Sequence, residues 1–243
     1  MPYHAGHIES ALVIGDTHEP YGHPDYPHFC KAVYDAYELE HVLHVGDVTD
    51  FHAASYHESD PDLMSPGDEL KAARKRLKIW SDYFPEMIIS EGNHCSMPKR
   101  KMKSAGLSSE HLRTPNEYLH TPETWEWVWD FVRFTIGPGI KCIMQHAWSG
   151  SPTSGLKEIN NSCVLAGHNH SQMWVLWKTN DCDERKFWLQ PGTGIDKGHP
   201  AFAYGKKGAK DIIELGCGMI INGTPYTIPM YTDDNQRWTG VVP

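Results

Sequence analysis

Three short apolar runs, each closed by a glycine and then a polar side chain able to bind a cation, limit most sharply how this chain folds. Ala11-Leu12-Val13-Ile14 stops at Gly15-Asp16, Val42-Leu43-His44-Val45 stops at Gly46-Asp47, and Met87-Ile88-Ile89 leads to Gly92-Asn93-His94. Runs this short and β-branched read as buried strands. Helical spacing fills the gaps between them. Residues 27–39 carry Phe29, Val33, Ala36 and Tyr37, and residues 66–84 carry Leu70, Ala73, Leu77, Trp80 and Phe84 on one stripe. Ser65 suits the N-cap of that second helix, Pro66 its first position, and Asp68 its positive end. Strand, helix, strand, helix, strand is the order of an α/β sheet with crossover helices.

The texture then changes. Residues 97–130 read as mostly helical and irregular. Thr121-Pro122-Glu123 opens a short helix holding Trp125, Val128 and Trp129, although Trp125, Trp127 and Trp129 also alternate as a strand would. Strands follow at 131–136, 141–145, 162–166, 173–177, 186–190, 212–215 and 218–231, the last interrupted by Pro225 and Pro229. A strand-rich second half beside an α/β first half predicts two sheets packed face to face with helices outside, in one domain over 1–243.

Composition agrees. The 243 residues are 40% hydrophobic and 22% charged, enough for a core and too apolar for disorder. The net charge of -9 excludes a general nucleic-acid coat protein. Charge is uneven: residues 1–70 hold fourteen acids and one base, Lys31, whereas 71–103 hold nine bases and three acids. The first stretch suits cations. The second suits an anionic ligand, or simply coats a helix. Six cysteines without CxxC pairs read as free thiols of a reducing compartment. No leader pattern or membrane-length apolar run is present, which predicts a cytoplasmic protein without a membrane partner.

Five polar clusters each follow a predicted strand: Asp16-Thr17-His18, Asp47-Val48-Thr49-Asp50, Asn93-His94, His146, and His168-Asn169-His170. Ligands of open α/β sheets bind beyond the carboxyl ends of strands, where such loops converge. Carboxylates, imidazoles and an amide oxygen are donors for divalent metals. Seven of them exceed the need of one tetrahedral ion and suit two ions sharing a carboxylate. Two such ions, roughly 3.5–4 Å apart, can clamp a phosphoryl group and generate hydroxide at neutral pH.

In order and spacing the clusters resemble the pattern of the calcineurin-like metallophosphoesterases: D-x-H, G-D-x-x-D, G-N-H, a single His, and G-H-x-H. Here these are Asp16-Thr17-His18, Gly46-Asp47-Val48-Thr49-Asp50, Gly92-Asn93-His94, His146 and Gly167-His168-Asn169-His170. The resemblance covers residues 16–170. It implies a four-layer α/β sandwich of two mixed sheets flanked by helices. It also implies that Asp16, His18 and His170 hold one metal, that Asn93, His146 and His168 hold a second, and that Asp47 bridges them. His94, oriented by Asp50, would act as general acid or electrostatic stabiliser at the leaving-group oxygen. The metals would be Mn²⁺ first, with Fe, Zn, Co or Mg as alternatives.

Departures narrow the expectation. Phe51-His52 stands where the family's protein phosphatases place Arg-Gly, and Cys95 where they place Glu. The chain is closer to the short phosphodiesterases and nucleases of bacteria and their phages. The expected activity is therefore hydrolysis of phosphodiesters in nucleotides or nucleic acid. Monoester hydrolysis is the alternative and a non-catalytic metal-binding scaffold a remote one. His52 and Asn93 are candidate substrate contacts, with His57 behind them. Lys99, Arg100, Lys101 and Lys103 can attract a polyanion or simply coat a helix, and Trp148 can stack a base, although a core or rim position is the stronger expectation for it. Gln190-Pro191-Gly192-Thr193-Gly194 is expected at the far edge of the site.

Overall fold

The computed structural model describes residues 3–55, 62–147, 161–201 and 213–243. Its strands are β1 (Tyr3–Ile8), β2 (Ser10–Ile14), β3 (His41–His44), β4 (Met87–Ser90), β5 (Trp125–Val128), β6 (Val132–Ile136), β7 (Ile140–Met144), β8 (Cys163–Leu165), β9 (Met173–Thr179), β10 (Arg185–Pro191), β11 (Gly216–Ile221) and β12 (Thr224–Pro229). The helices are α1 (Tyr26–Ala36), α2 (Pro66–Tyr83), α3 (Met97–Ser104) and α4 (Pro115–Leu119). Two mixed six-stranded sheets result, ordered β12-β11-β2-β3-β4-β5 and β1-β6-β7-β8-β10-β9.

Alternation along the strands builds two cores. Leu12, Ile14, Val42, Met87, Ile89, Cys217 and Met219 point from the first sheet toward the helices, where they meet Phe29, Val33, Leu77, Trp80 and Phe84. Ala11, Val13, Leu43, Val45 and Ile220 point the other way, onto Ile8, Val132, Phe134, Ile136, Met144, Leu165 and Leu189 of the second sheet. Helix α2 starts as its sequence predicts: the Ser65 hydroxyl accepts from the Asp68 N–H and Pro66 takes the first turn. Among the described residues no helix is long and apolar enough to cross a membrane.

The two halves of the chain do not map onto the two sheets. Strand β1, which alternation in the sequence does not reveal, pairs parallel with β6 of the second sheet. Strand β11 returns to lie antiparallel to β2, and β12 pairs with β11, so the end of the chain completes the first sheet. The predicted strand over 212–215 is not formed at its described residues; Leu215 makes only an isolated bridge with Thr193. The predicted 218–231 strand divides instead at Asn222-Gly223, both at positive φ, the backbone that two-residue hairpin turns require. Pro225 and Pro229 are tolerated because β12 is an edge strand.

The helix expected after Thr121 is also a strand. Trp125–Val128 pairs parallel with β4, in the register Met87↔Trp125 and Ser90↔Val128. Trp125 and Trp127 pack on the helix-side core and Val128 on the core between the sheets, the period-two division of a strand, and the open edge of β4 supplies the hydrogen bonds that a lone short helix lacks.

Candidate metal centre

Register brings the motif loops to one edge. Ile14 pairs with His44 and His44 with Ile89, so the turns that follow β2, β3 and β4 leave the sheet side by side. The turns after β7 and β8 arrive from the second sheet, where Met144 pairs with Leu165. Within the sets, Gly167 N donates to His146 O at 2.9 Å, and Thr17 N and His18 N both donate to Asp47 O, at 3.1 and 2.9 Å; between them, His146 N donates to Ser90 Oγ at 3.1 Å and His168 N to Asp16 Oδ2 at 3.0 Å.

Asp16, His18, Asp47, Asp50, Asn93, His94, His146, His168 and His170 meet at that edge. Donor atoms of Asp16, His18 and His170 lie within 4.8 Å of one another, as do those of Asp47, His146 and His168 and those of His18, Asp50 and His94. His170 Nε2 is 3.0 Å from Asp16 Oδ2 and 3.2 Å from His18 Nε2. His146 Nε2 is 3.0 Å from Asp47 Oδ2 and 3.0 Å from Asn93 Oδ1. The same Asp47 oxygen is 3.7 Å from His18 Nε2, which places one carboxylate oxygen between the two groups. The other, Oδ1, accepts the His94 N–H at 2.8 Å.

Two glycines make this approach possible. A Cβ on Gly92 would fall 2.0 Å from Asp47 Oδ1, and one on Gly167 would fall 2.3 Å from Asp16 Oδ1. His18, Asp47 and His168 hold positive φ of 47°, 48° and 72°. Such backbone costs on the order of 1–3 kcal/mol per residue and concentrates at functional sites.

The donor set fits divalent cations. Among the four buried groups Asp16, His18, Asp47 and His146, the two imidazoles are oriented by partners on their far nitrogens. His18 Nδ1 donates to Asp50 Oδ1 at 2.5 Å and His146 Nδ1 to Val45 O at 3.1 Å, which turns each Nε2 toward Asp47. Metal-ligating histidines are held in this manner. Burial pushes Asp16 up, but His146 and His170 outweigh it and hold its carboxyl at about 2. Asp47 is held well below its ordinary value against burial, chiefly by His146. Burial alone would lower His146, yet Asp47 and Asp16 raise it to about 9. Without a cation His146 therefore carries a proton at neutral pH, set against the Asp47 carboxylate.

His94 sits beside this group, its ring centroid 4.5 Å from that of His18. Its Nδ1 donates to Asp50 O at 2.7 Å and stands 3.3 Å from Asp50 Oδ1. Against burial, the hydrogen bond to Asp50 and the charges of Asp47 and Asp50 raise it to about 9.

Other expectations resolve differently. Gln190 and Thr193 support the site from behind: Gln190 Nε2 donates to Gly167 O at 2.9 Å and Thr193 Oγ1 to Asp16 O at 2.7 Å. Cys95 is buried, which pushes its thiol up to about 12, and its sulfur accepts from Val48 N. The six cysteines are free thiols. Four of the nine bases of the basic stretch are spent on structure, since Arg76 pairs with buried Glu19, Arg74 caps Tyr118 O, and Lys71 and Lys78 pair with Asp68 and Asp82. Lys99 lies 4.3 Å over the exposed ring of Trp129. His57 and Trp148 lie outside the described residues. Reading the sequence misses Glu69, a buried acid raised to about 6 by burial, whose carboxylate accepts from His52 N and Ala53 N at 2.7 and 3.1 Å. Its place in the first turn of α2 is that of any helix-favouring acid, so no local signal separates it.

No family model matches the sequence, and no curated protein matches it. Solved structures do. The chain is similar to Vps29 of Chaetomium thermophilum at 15% identity, covering 97% of this chain and 96% of that one with a TM-score of 0.50. It is also similar to the phosphoesterase YfcE of E. coli, at 11% identity over 95% and 97% of the chains with a TM-score of 0.43. A third likeness is to the NAD nucleotidase NadN of Haemophilus influenzae, at 9% identity, 96% of this chain and 53% of that one, with a TM-score of 0.40. The fold is that of the calcineurin-like metallophosphoesterases.

Proposed function

We propose that the chain is a single metallophosphoesterase domain, residues 1–243, that hydrolyses phosphodiesters of nucleotides or nucleic acid with two divalent cations. One observation carries the reading: Asp47 Oδ2 lies between His146 Nε2 and His18 Nε2, with buried carboxylate and imidazole donors on both sides. Asp16, His18 and His170 would hold one cation, Asn93, His146 and His168 the other, and Asp47 both. When bound, the cations would neutralise phosphate charge and make a strong nucleophile available near neutral pH. Exchange of β1, β11 and β12 between the halves supports one domain, and six free thiols fit work in the cytoplasm.

The residues of the chain supply the rest. With Nδ1 engaged by Asp50, the transferable proton of His94 is on Nε2. An imidazole raised to about 9 is an imidazolium at neutral pH and donates to the departing alkoxide. Asp50 holds that ring and favours its charged form.

The test is a metal assay of protein prepared without chelators, followed by hydrolysis of bis(p-nitrophenyl) phosphate and p-nitrophenyl phosphate with Mn²⁺. About two metals per chain and faster diester cleavage are expected. Faster monoester cleavage would move the reading to a phosphomonoesterase, and well under two metals with no turnover would overturn it.

A further inference from the structure

The second sheet carries a cavity of about 530 Å³ on its outer face, lined by His4, Arg133, Thr135, Lys141, Ile143 and Ser162 among others. Alternation explains that lining. Val132, Phe134, Ile136, Cys142 and Met144 point into the core between the sheets, so Arg133, Thr135, Lys141 and Ile143 point out. Register then groups the polar ones. His4 pairs with Arg133 across β1 and β6, and Thr135 with Lys141 across β6 and β7. Arg133 and Lys141 are therefore diagonal neighbours on one face, roughly 7–8 Å apart at their backbones, so two long side chains can reach one ligand. The metal centre is elsewhere. His146 follows the other end of β7, roughly 16 Å along the strand from Lys141 at about 3.3 Å per residue.

The charges in this cavity are unanswered. Among the described residues no carboxylate lines it, and neither Arg133 nor Lys141 has an ion-pair or hydrogen-bond partner there. The Arg133 guanidinium rests over the Phe131 ring at 4.6 Å, which holds it in place and leaves its in-plane N–H groups free. Glu184, on which Lys141 acts from a distance, is already paired with Lys186 Nζ at 3.0 Å. Two neighbouring cations without a counter-charge repel one another, on a chain whose net charge is -9. Ser162 is a second, separate sign. It is only 7% exposed, and its hydroxyl has no partner among the described residues. Buried polar groups in native proteins are almost always paired, so this hydroxyl marks a place where a polar ligand atom belongs.

Charge and size say which ligand. A guanidinium and an ammonium match a dianion, and both bond phosphate oxygens with charge-assisted hydrogen bonds. The volume lies in the range of small-molecule sites and exceeds what inorganic phosphate needs. We propose that this cavity is a metal-independent site for a small organic phosphate monoester. Arg133 and Lys141 neutralise the phosphate, Ser162 and His4 bond its oxygens, and Ile143 with the aliphatic stems of the two bases covers the organic group. The proposal stands apart from the phosphoesterase reading and survives its failure.

The experiment titrates phenyl phosphate into the chelator-treated full chain by calorimetry, at a pH of about 7.5 where a phosphate monoester is largely a dianion. The carboxylates of Asp16, Asp47 and Asp50 repel such a ligand from the metal-free centre, so binding reports the second site. A dissociation constant in the millimolar range or tighter is expected. Methyl phenyl phosphate, a monoanion, and inorganic phosphate, which lacks the ring, should each bind several-fold more weakly. Arg133→Gln combined with Lys141→Gln should weaken phenyl phosphate at least about tenfold. Neither side chain has a partner to lose, so Tm should hold, and so should cleavage of bis(p-nitrophenyl) phosphate by the metal-loaded chain. Ser162→Ala, which removes one hydroxyl, should weaken binding by a smaller factor. No heat of binding, or binding that survives the double substitution, overturns the proposal, as does loss of binding in His146→Asn, which would place the ligand at the metal centre. Equal affinity for all three anions overturns the monoester assignment. Tighter binding of a single-stranded oligonucleotide, lost in the double variant, would make this face a polyanion surface and overturn the small-ligand reading.

Discussion

His18 Nδ1 lies 2.5 Å from Asp50 Oδ1, a tighter contact than the 3.3 Å that Asp50 keeps with His94 Nδ1. The second aspartate of the G-D-x-x-D block thus supports a candidate metal ligand and the candidate general acid at once. Partners of ligating histidines commonly govern metal affinity by about 10–100-fold. Asp50→Asn should therefore lower both metal affinity and turnover, whereas a residue serving His94 alone would change only turnover. Calorimetric titration of metal into the variant, beside its kcat, separates the two.

His94→Ala should keep two metals per chain and lose roughly 10²–10⁴-fold in kcat, the usual worth of a general acid. The acid form is needed, and its ordinary value is raised to about 9. The rate should accordingly fall as pH rises through about 9, and this alkaline limb should vanish in the variant. Normal activity in His94→Ala removes the assigned role.

Protons and cations compete for the cluster. His146 is raised to about 9 by Asp47 and Asp16, so below that pH a cation must displace its proton. Apparent metal affinity should rise about tenfold per pH unit up to about 9 and then level off. His146→Asn should flatten that slope, and a pH-independent affinity in the unaltered protein would contradict the placement of His146.

The same shifts bear on stability. His94 and His146 are raised above the ordinary value of 6.5, so the folded metal-free chain binds more protons than the unfolded one between 6.5 and about 9. The stability they contribute is complete below 6.5 and is lost as pH rises through about 9. Chelator-treated protein should show a falling Tm across that window, and metal-loaded protein a flatter one, measured by scanning calorimetry.

Gly92→Ala should damage the site out of proportion to its size. The added Cβ meets Asp47 Oδ1 at 2.0 Å, and that oxygen is already fixed by the His94 N–H. A forced overpacking of this kind costs typically about 1–3 kcal/mol. Metal content and activity should both fall, and a variant with full metal occupancy would show that Asp47 can shift without loss.

Much of the site is legible along the chain because its grammar is local. A strand end is marked by Gly15, Gly46 or Gly92, and the cation-binding side chain follows at once, so each cluster announces itself within a few residues. The stripe of α2 is equally local, and Ser65 caps it as predicted. What escapes is whatever depends on a partner far away. Trp125–Val128 becomes a strand because β4 offers it an edge. Glu69 looks ordinary in sequence and gains meaning only from its burial beneath the 52–54 turn, whose N–H groups it accepts.

Residue types and their order settle the chemistry that can be done: carboxylates and imidazoles at strand ends, glycines where no Cβ fits, and an alternation that buries both faces of the first sheet. Distance is settled elsewhere. His170 reaches Asp16 across 154 positions, and Asp47 stands between His18 and His146, only because one sheet packs on the other in a single register. That register comes from the summed burial of both sheets, a property of the whole fold to which no short stretch of chain has access.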